Sequence, residues 1–201
     1  RMEGKCESNI PISSLSMLQC VYLNYNKKNC ASIFVCKQLE NIFIDNYSET
    51  SSKAFSTFKN AKRIGLIKSK ITEFEAIHNL HQLEHIGIGY NSKMESISWL
   101  RNNNSLTSLG FQNCKKIKDW EEIGSLGKIE KIILENCGEI PSLSFLQNIS
   151  SLKELRIIGS TSIGDGKIKE LMHLPNLKHI FVPIKKEYDI TLDELTAYNN
   201  N

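Results

Sequence analysis

Apolar residues recur along this chain at two periods, and the two alternate. Between residues 134 and 157 the chain reads LENCGEIPSLSFLQNISSLKELRI. Ile140, Leu143, Leu146, Ile149, Leu152 and Leu155 are three apart, and Ile157 follows at a spacing of two. An α-helix repeats its apolar face every 3.6 residues and a strand every two. A period of three suits a 3₁₀-like coil, in which side chains at i and i+3 eclipse. Such coils are short on their own, so a long run needs support along its whole face. A neighbouring coil of a solenoid supplies that support. The switch to a period of two then marks a strand with one face inward.

The same pattern recurs along the chain. LENIFIDNY starts at Leu39, AKRIGLIKS at Ala61, LEHIGIGYN at Leu83, LTSLGFQNC at Leu106, IEKIILENC at Ile129, LKELRIIGS at Leu152 and LKHIFVPIK at Leu177. An earlier copy is placed at Met17 (MLQCVYLNY), and a start at Leu15 fits almost as well. The shared form is L-x-x-L-x-L-x-x-[N/C], followed by an apolar residue every three. This resembles the leucine-rich repeat family in its 22-residue class, over about residues 15–188. The resemblance implies an α/β solenoid of about eight coils. Its parallel β-sheet forms the concave face, and 3₁₀ or short helical turns form the convex face. Residues 1–14 are expected to be a half-coil or disordered cap, 15–188 the solenoid, and 189–201 a capping helix and tail.

Four of the six cysteines fall into this register. Cys20 and Cys36 are expected at apolar positions of the first coil. Cys114 and Cys137 take the ninth position of adjacent coils, with Asn91, Ser69 and Ser160 at the same place in others. In the family, asparagines at this position bond exposed backbone at the turn after the strand. Cysteine and serine make weaker versions of that contact. Tyr47 and Lys185 depart from the pattern, so the ladder is expected to be incomplete at both ends. Cys6 and Cys30 take no assigned role. With no C-x-x-C and no zinc spacing, reduced structural thiols and a cytoplasmic location are expected.

In this fold the outward strand positions form the concave surface. The third positions are Gln19, Asn41, Arg63, His85, Ser108, Lys131, Glu154 and His179. The fifth are Val21, Phe43, Gly65, Gly87, Gly110, Ile133, Arg156 and Phe181. The seventh are Leu23, Asp45, Ile67, Gly89, Gln112, Glu135, Ile158 and Pro183. Glycine occupies the middle and apolar residues the ends. Glycine lets a partner approach the backbone, and exposed Phe and Ile suggest a contact patch. The candidate protein-binding set is Phe43, Arg63, Ile67, His85, Tyr90, Lys131, Ile133, Glu135, Arg156, Ile158 and Phe181. A basic edge of Lys68, Lys70, Lys93, Lys115 and Lys116, with Lys118 beside them, follows the strand ends of three successive copies. It suits an acidic partner protein or a solvated face.

At the C-terminus, Thr191 and Glu194 form a T-x-x-E capping box. It opens a short helix whose Leu192, Leu195 and Tyr198 are expected to lie over the last coil. The stretch TSIGDGKIKELMHLPNLKHIFVPIKKEY resembles the closing segment of stand-alone bacterial leucine-rich repeat proteins often encoded beside secreted toxins. An immunity role, occluding a toxin through the concave face, is what that resemblance implies. The alternatives are a cytoplasmic adaptor or regulatory subunit of another enzyme, and a secreted bacterial effector.

Composition narrows the picture further. The chain has 201 residues and a net charge of +3. That balance calls for neither nucleic acid nor membrane as partner. The segment RMEGKCESNIP has no signal-peptide apolar core. GSTSIGDGK lacks the Lys-Ser/Thr order of a phosphate loop. His78, His81 and His85 have metal-like spacing, but the repeat puts the first two on the convex coil and the third on the strand. No catalytic constellation, metal site or cofactor site is expected, and a monomeric non-catalytic binding protein is.

Overall fold

The computed structural model describes residues 2–5, 16–101 and 103–200. Eleven strands are present among them. They are β1 (Met2–Lys5), β2 (Cys20–Asn24), β3 (Asn41–Asp45), β4 (Arg63–Ile67), β5 (His85–Gly89), β6 (Ser108–Gln112), β7 (Lys131–Glu135), β8 (Glu139–Ile140), β9 (Glu154–Ile158), β10 (Ser162–Ile163) and β11 (His179–Phe181). Nine form one parallel sheet in the order β1-β2-β3-β4-β5-β6-β7-β9-β11. The two-residue strands β8 and β10 pair separately. The cap expected over residues 1–14 lies, apart from β1, outside the described residues.

Each full strand buries its second and fourth residues and turns the others outward, as in Ile42 and Ile44 of β3 or Ile132 and Leu134 of β7. Register is strict. Tyr22, Phe43, Gly65, Gly87, Gly110, Ile133, Arg156 and Phe181 are successive partners across the sheet. The period-three segments return along the other side as 3₁₀ turns, among them Glu75–Asn79, Trp120–Ser125 and Ser144–Asn148. Met94, Ile97, Leu100, Ile117, Trp120, Ile123 and Leu126 all point into the core from this side. One continuous apolar core runs from Val21 to Leu195. Its N-terminal part is aromatic: Phe34 packs within 6.3 Å of Tyr47, Phe55 and Phe58, Phe55 also packs on Tyr47 and Phe58, and Phe74 extends the cluster to Trp99.

The first coil is one residue out of the expected register. Cys20 pairs with Asn41, so the repeat starts at Leu18 rather than Met17. Val21 and Leu23 are buried and Tyr22 is exposed. A one-residue slip exchanges the two faces of a strand. The Met17 register would bury the Cys20 thiol and Tyr22 hydroxyl and leave Val21 and Leu23 in water, which is the costlier choice. Cys20 is therefore half-exposed on the concave face, not a core residue, while Cys36 is buried.

The turn ladder is built from side chains of unequal reach. Asn91 is fully buried. Its Nδ2 donates to Ile71 O at 2.8 Å and Ser69 Oγ at 3.2 Å, and its Oδ1 accepts from the Lys93 and Met94 amides. Cys114 and Cys137 each donate a thiol to two carbonyls at 3.4 Å. Burial pushes the Cys114 thiol up to about 12 and raises Cys137 as well, so neither is a thiolate at neutral pH. Ser160 does not fill the next place. The turn holds one more residue there, and Thr161 is the buried one, accepting from the Cys137 amide at 3.0 Å and donating to Leu134 O. At the N-terminal end, Tyr47 fills the place with a ring, and Cys30 donates to Asn24 O.

The last strand is covered by a C-terminal helix, α1 (Leu192–Asn199). The Thr191–Glu194 capping box is formed in both directions. The Lys169 ammonium and the Thr191 donors push the Glu194 carboxyl down to about 2. The Asn199 amide binds both backbone groups of Ile180, at 2.8 and 2.9 Å, and so occupies the open edge of β11. Leu195 is buried and Tyr198 partly so, whereas Leu192 is 63% exposed and does not join the cap.

Candidate functional site

The site follows from the outward row of the sheet. At three successive partners that row is Gly65, Gly87 and Gly110, and Gly89 lies one step along β5. Removing three adjacent side chains opens a concavity of about 280 Å³. Its floor is glycine backbone and the flanks of Ile44, Leu66, Ile88 and Phe111. Tyr22 and Phe43 form one end wall, their rings stacked with centroids 6.5 Å apart. The Phe43 ring leans over the floor: a Cβ on Gly65 would lie 2.6 Å from Phe43 Cδ1. Ile133 and the Gln112–Glu135 pair, hydrogen-bonded at 2.9 Å, form the other wall. A Cβ on Gly87 would meet nothing within 4 Å. The middle of the concavity is therefore open space, not a tight backbone contact.

Of the residues expected to bind, Phe43, Ile67, Ile133 and Glu135 line this concavity together. Arg63 is exposed and His85 half-buried on the third row. Burial and the Arg63 charge lower the His85 pKa, so its imidazole is neutral at pH 7. Tyr90 lies at the turn after β5, half-exposed, and outside the lining. Lys131, Arg156, Ile158 and Phe181 belong to the C-terminal half of the face. There Lys131 Nζ binds Glu154 at 2.8 Å, and Arg156 binds the same carboxylate. The Arg156 guanidinium also sits 4.7 Å from the centre of the Phe181 ring, and His179 stacks on Phe181. These side chains satisfy one another. Tyr22 is the lining residue that sequence reasoning missed; the inward set Leu18, Val21 and Leu23 carried the signal.

Lys68, Lys70, Lys93, Lys115 and Lys116 are all exposed and follow the strands of three adjacent coils. None forms an ion pair with a described residue, whereas Lys118 is paired with Glu95 at 3.0 Å. The edge before the strands differs. Glu40 pairs with Lys62 at 3.0 Å, and Glu130 with Lys153 at 2.8 Å. Among the described residues no group of three His, Cys, Asp or Glu is placed to hold a metal. His78 and His81 are exposed on the convex coil, away from His85 on β5. No helix among the described residues is long and apolar enough to cross a membrane.

No protein-family model matches the chain, and no curated protein matches it. Solved structures do. An internalin (inlF) of Listeria monocytogenes aligns with a TM-score of 0.57 and 14% identity, over 89% of this chain and 62% of that one. Internalin C2 of the same organism aligns with a TM-score of 0.59 and 19% identity, over 84% and 70%. A leucine-rich repeat protein of Leptospira interrogans gives 0.52 and 14%, over all of this chain and 63% of its own. The plant peptide hormone receptor RGFR1, solved in complex with RGF2, gives 0.54 and 16%, over 86% and 33%. This chain thus spans less than two thirds of several of its structural neighbours. They share one architecture with it, and this chain is a leucine-rich repeat solenoid.

Proposed function

We propose that this protein is a non-catalytic scaffold that binds another protein on its concave face. The open glycine floor is the observation that carries this reading. Soluble proteins rarely leave an apolar hollow on a rigid sheet without a use for it. A Cβ at Gly87 would meet no atom within 4 Å, so packing does not demand glycine there. Glycine also weakens a strand interior. Its use at Gly87 and Gly110 sacrifices some stability and keeps the surface clear for a partner. The lining holds no nucleophile with a neighbouring base, which favours binding over catalysis.

The narrower reading is an immunity-type protein that occludes a toxin. Its support is the likeness of the closing segment to stand-alone bacterial repeat proteins. Consistent with a closing role, Gly166 adopts φ +64°, and the Tyr188 hydroxyl accepts from the Ile163 amide at 2.9 Å. Asp189 accepts from the Ile168 and Lys169 amides. An adaptor or an effector would use the same face.

The test is a pull-down from native lysate with wild type, Gly87→Phe and Phe181→Asp side by side, each of confirmed fold. A partner kept by wild type and Phe181→Asp but lost by Gly87→Phe supports the trough. A partner kept by all three moves the site elsewhere. A one-to-one complex with a toxin encoded alongside supports the immunity reading, and a resident enzyme as partner supports an adaptor.

A further inference from the structure

The eighth residue of each coil, directly after the strand, adopts positive φ in six successive coils. The values are 58° at Asn46, 53° at Lys68, 53° at Tyr90, 54° at Asn113, 52° at Asn136 and 66° at Gly159. Asn and Gly enter this left-handed region readily. Lysine does so less readily, and a bulky tyrosine there is an outlier. The two ill-suited residues sit on adjacent coils, and those coils carry Gly65, Gly87 and Gly89 of the trough. Burial does not compensate the strain, because both side chains are exposed and Lys68 has no ion pair with a described residue. Strain of this kind collects where a side chain has a job to do.

Charge points the same way. Lys68, Lys93, Lys115 and Lys116 edge the three coils of the glycine floor. On the opposite edge Glu40 pairs with Lys62 and Glu130 with Lys153, and Glu84 stands there 3.8 Å from His85. On the seventh row carboxylates stand at Asp45 and Glu135, one on each side of the three central coils. Asp45 Oδ1 is buried with no hydrogen-bond partner among the described residues. An anionic group is therefore welcome over the central coils and repelled at both ends.

On the reading of the trough as a binding site, we propose that its occupant is a protein loop presenting an apolar side chain flanked by acidic residues. The apolar side chain rests on Gly87. The acidic flank lies across the turn edge, held by Lys68 and the neighbouring lysines, with Tyr90 packed against it. A nucleic acid fits less well. Its continuous phosphates would run past Asp45 or Glu135, and this edge offers one exposed ring, Tyr90, for base stacking.

Selection of a random disulfide-closed peptide library on the wild-type chain tests this. Enriched peptides are titrated against wild type, Gly87→Phe, Lys68→Glu/Lys93→Glu and Tyr90→Asn, all with thermal unfolding recorded. The expected peptides carry a large apolar residue beside Asp or Glu. Gly87→Phe abolishes their binding, and the double charge reversal weakens it about tenfold or more. Added salt weakens wild type but not the reversed variant. Tyr90→Asn binds more weakly while melting higher, which a purely structural tyrosine would not do. Peptides blocked by Gly87→Phe but without acidic bias, or indifferent to charge reversal, overturn this inference and leave the trough reading intact. Peptides indifferent to Gly87→Phe, or no enrichment at all, overturn both. A short single-stranded oligonucleotide whose binding is lost on lysine reversal but survives Gly87→Phe assigns the edge to nucleic acid and overturns the acidic-loop proposal.

Discussion

The two halves of the concave face share one backbone and one register, yet differ in what stands on them. On β4 to β6 the central outward row is Gly65, Gly87 and Gly110. On β7, β9 and β11 it is Ile133, Arg156 and Phe181. In the second half the side chains engage each other through Glu154, the Arg156–Phe181 contact and the His179 stack. In the first half nothing stands over Gly87. Charged and aromatic residues on a repeat surface thus do not by themselves mark a site. A self-satisfied patch has little left to offer a partner, whereas an empty row between apolar walls does.

The turn ladder beneath provides the sharpest test of this contrast. Under the open half its strongest member is the Asn91 amide, with four hydrogen bonds, and under the filled half, after β7, it relies on the weaker donor Cys137. Asn91→Leu strands buried backbone groups and is expected to cost ~2–4 kcal/mol in urea unfolding. Cys137→Ala is expected to cost about 1 kcal/mol, since a thiol is a weak donor. Equal losses would mean that the two halves are held alike.

Glu154 tests the filled half. Burial alone would raise its pKa, but hydrogen bonds and charge from Lys131 and Arg156 outweigh this and hold it below the ordinary 4.5. The network's contribution is then complete above the ordinary carboxylate range and is lost as pH falls through the lowered native value. Glu154→Gln is expected to cost about 1 kcal/mol at pH 7, discounted for solvent screening, and to flatten the acid side of the stability profile. An unchanged acid limb would count against the network.

Gly87→Ile reverses the sign. It adds a β-branched residue in open space and should stabilise by about 1 kcal/mol, raising the Tm by roughly 2–4 °C. Gly65→Ala should do the opposite, because its Cβ displaces the Phe43 ring. A destabilised Gly87→Ile would mean the floor is glycine for packing. The smallest effect is expected at Tyr90→Asn, a gain of up to about 1 kcal/mol from relief of the left-handed backbone. Its melting curve checks this.

Much of this was legible in the chain itself. Spacings of 21 to 25 residues, and the change of period within each, define strand, return and stacking, because a coil that cannot bury its own face must repeat its neighbour's pattern. The glycine row was legible for the same reason. The first coil was not, since Met17 and Leu18 both start an apolar pattern and only packing against β3 separates them. Ser160 and Thr161 were equally ambiguous until the turn after β9 admitted one more residue. Leu192 was expected to cover the last coil and is exposed instead, its part taken by Leu195 and Asn199.

The sequence by itself determined the repeat, the inward and outward faces and the row of missing side chains. Each of these is a local period multiplied along a one-dimensional stack. The tertiary structure alone decided which outward residues are free. Whether Lys131 reaches Glu154, whether Phe43 leans over Gly65 and whether Lys68 lacks a carboxylate depend on side chains about one coil away in space and more than twenty residues away in sequence. Periodicity brings such residues side by side, but their rotamers and charges decide whether they spend their bonds on each other or keep them for a partner.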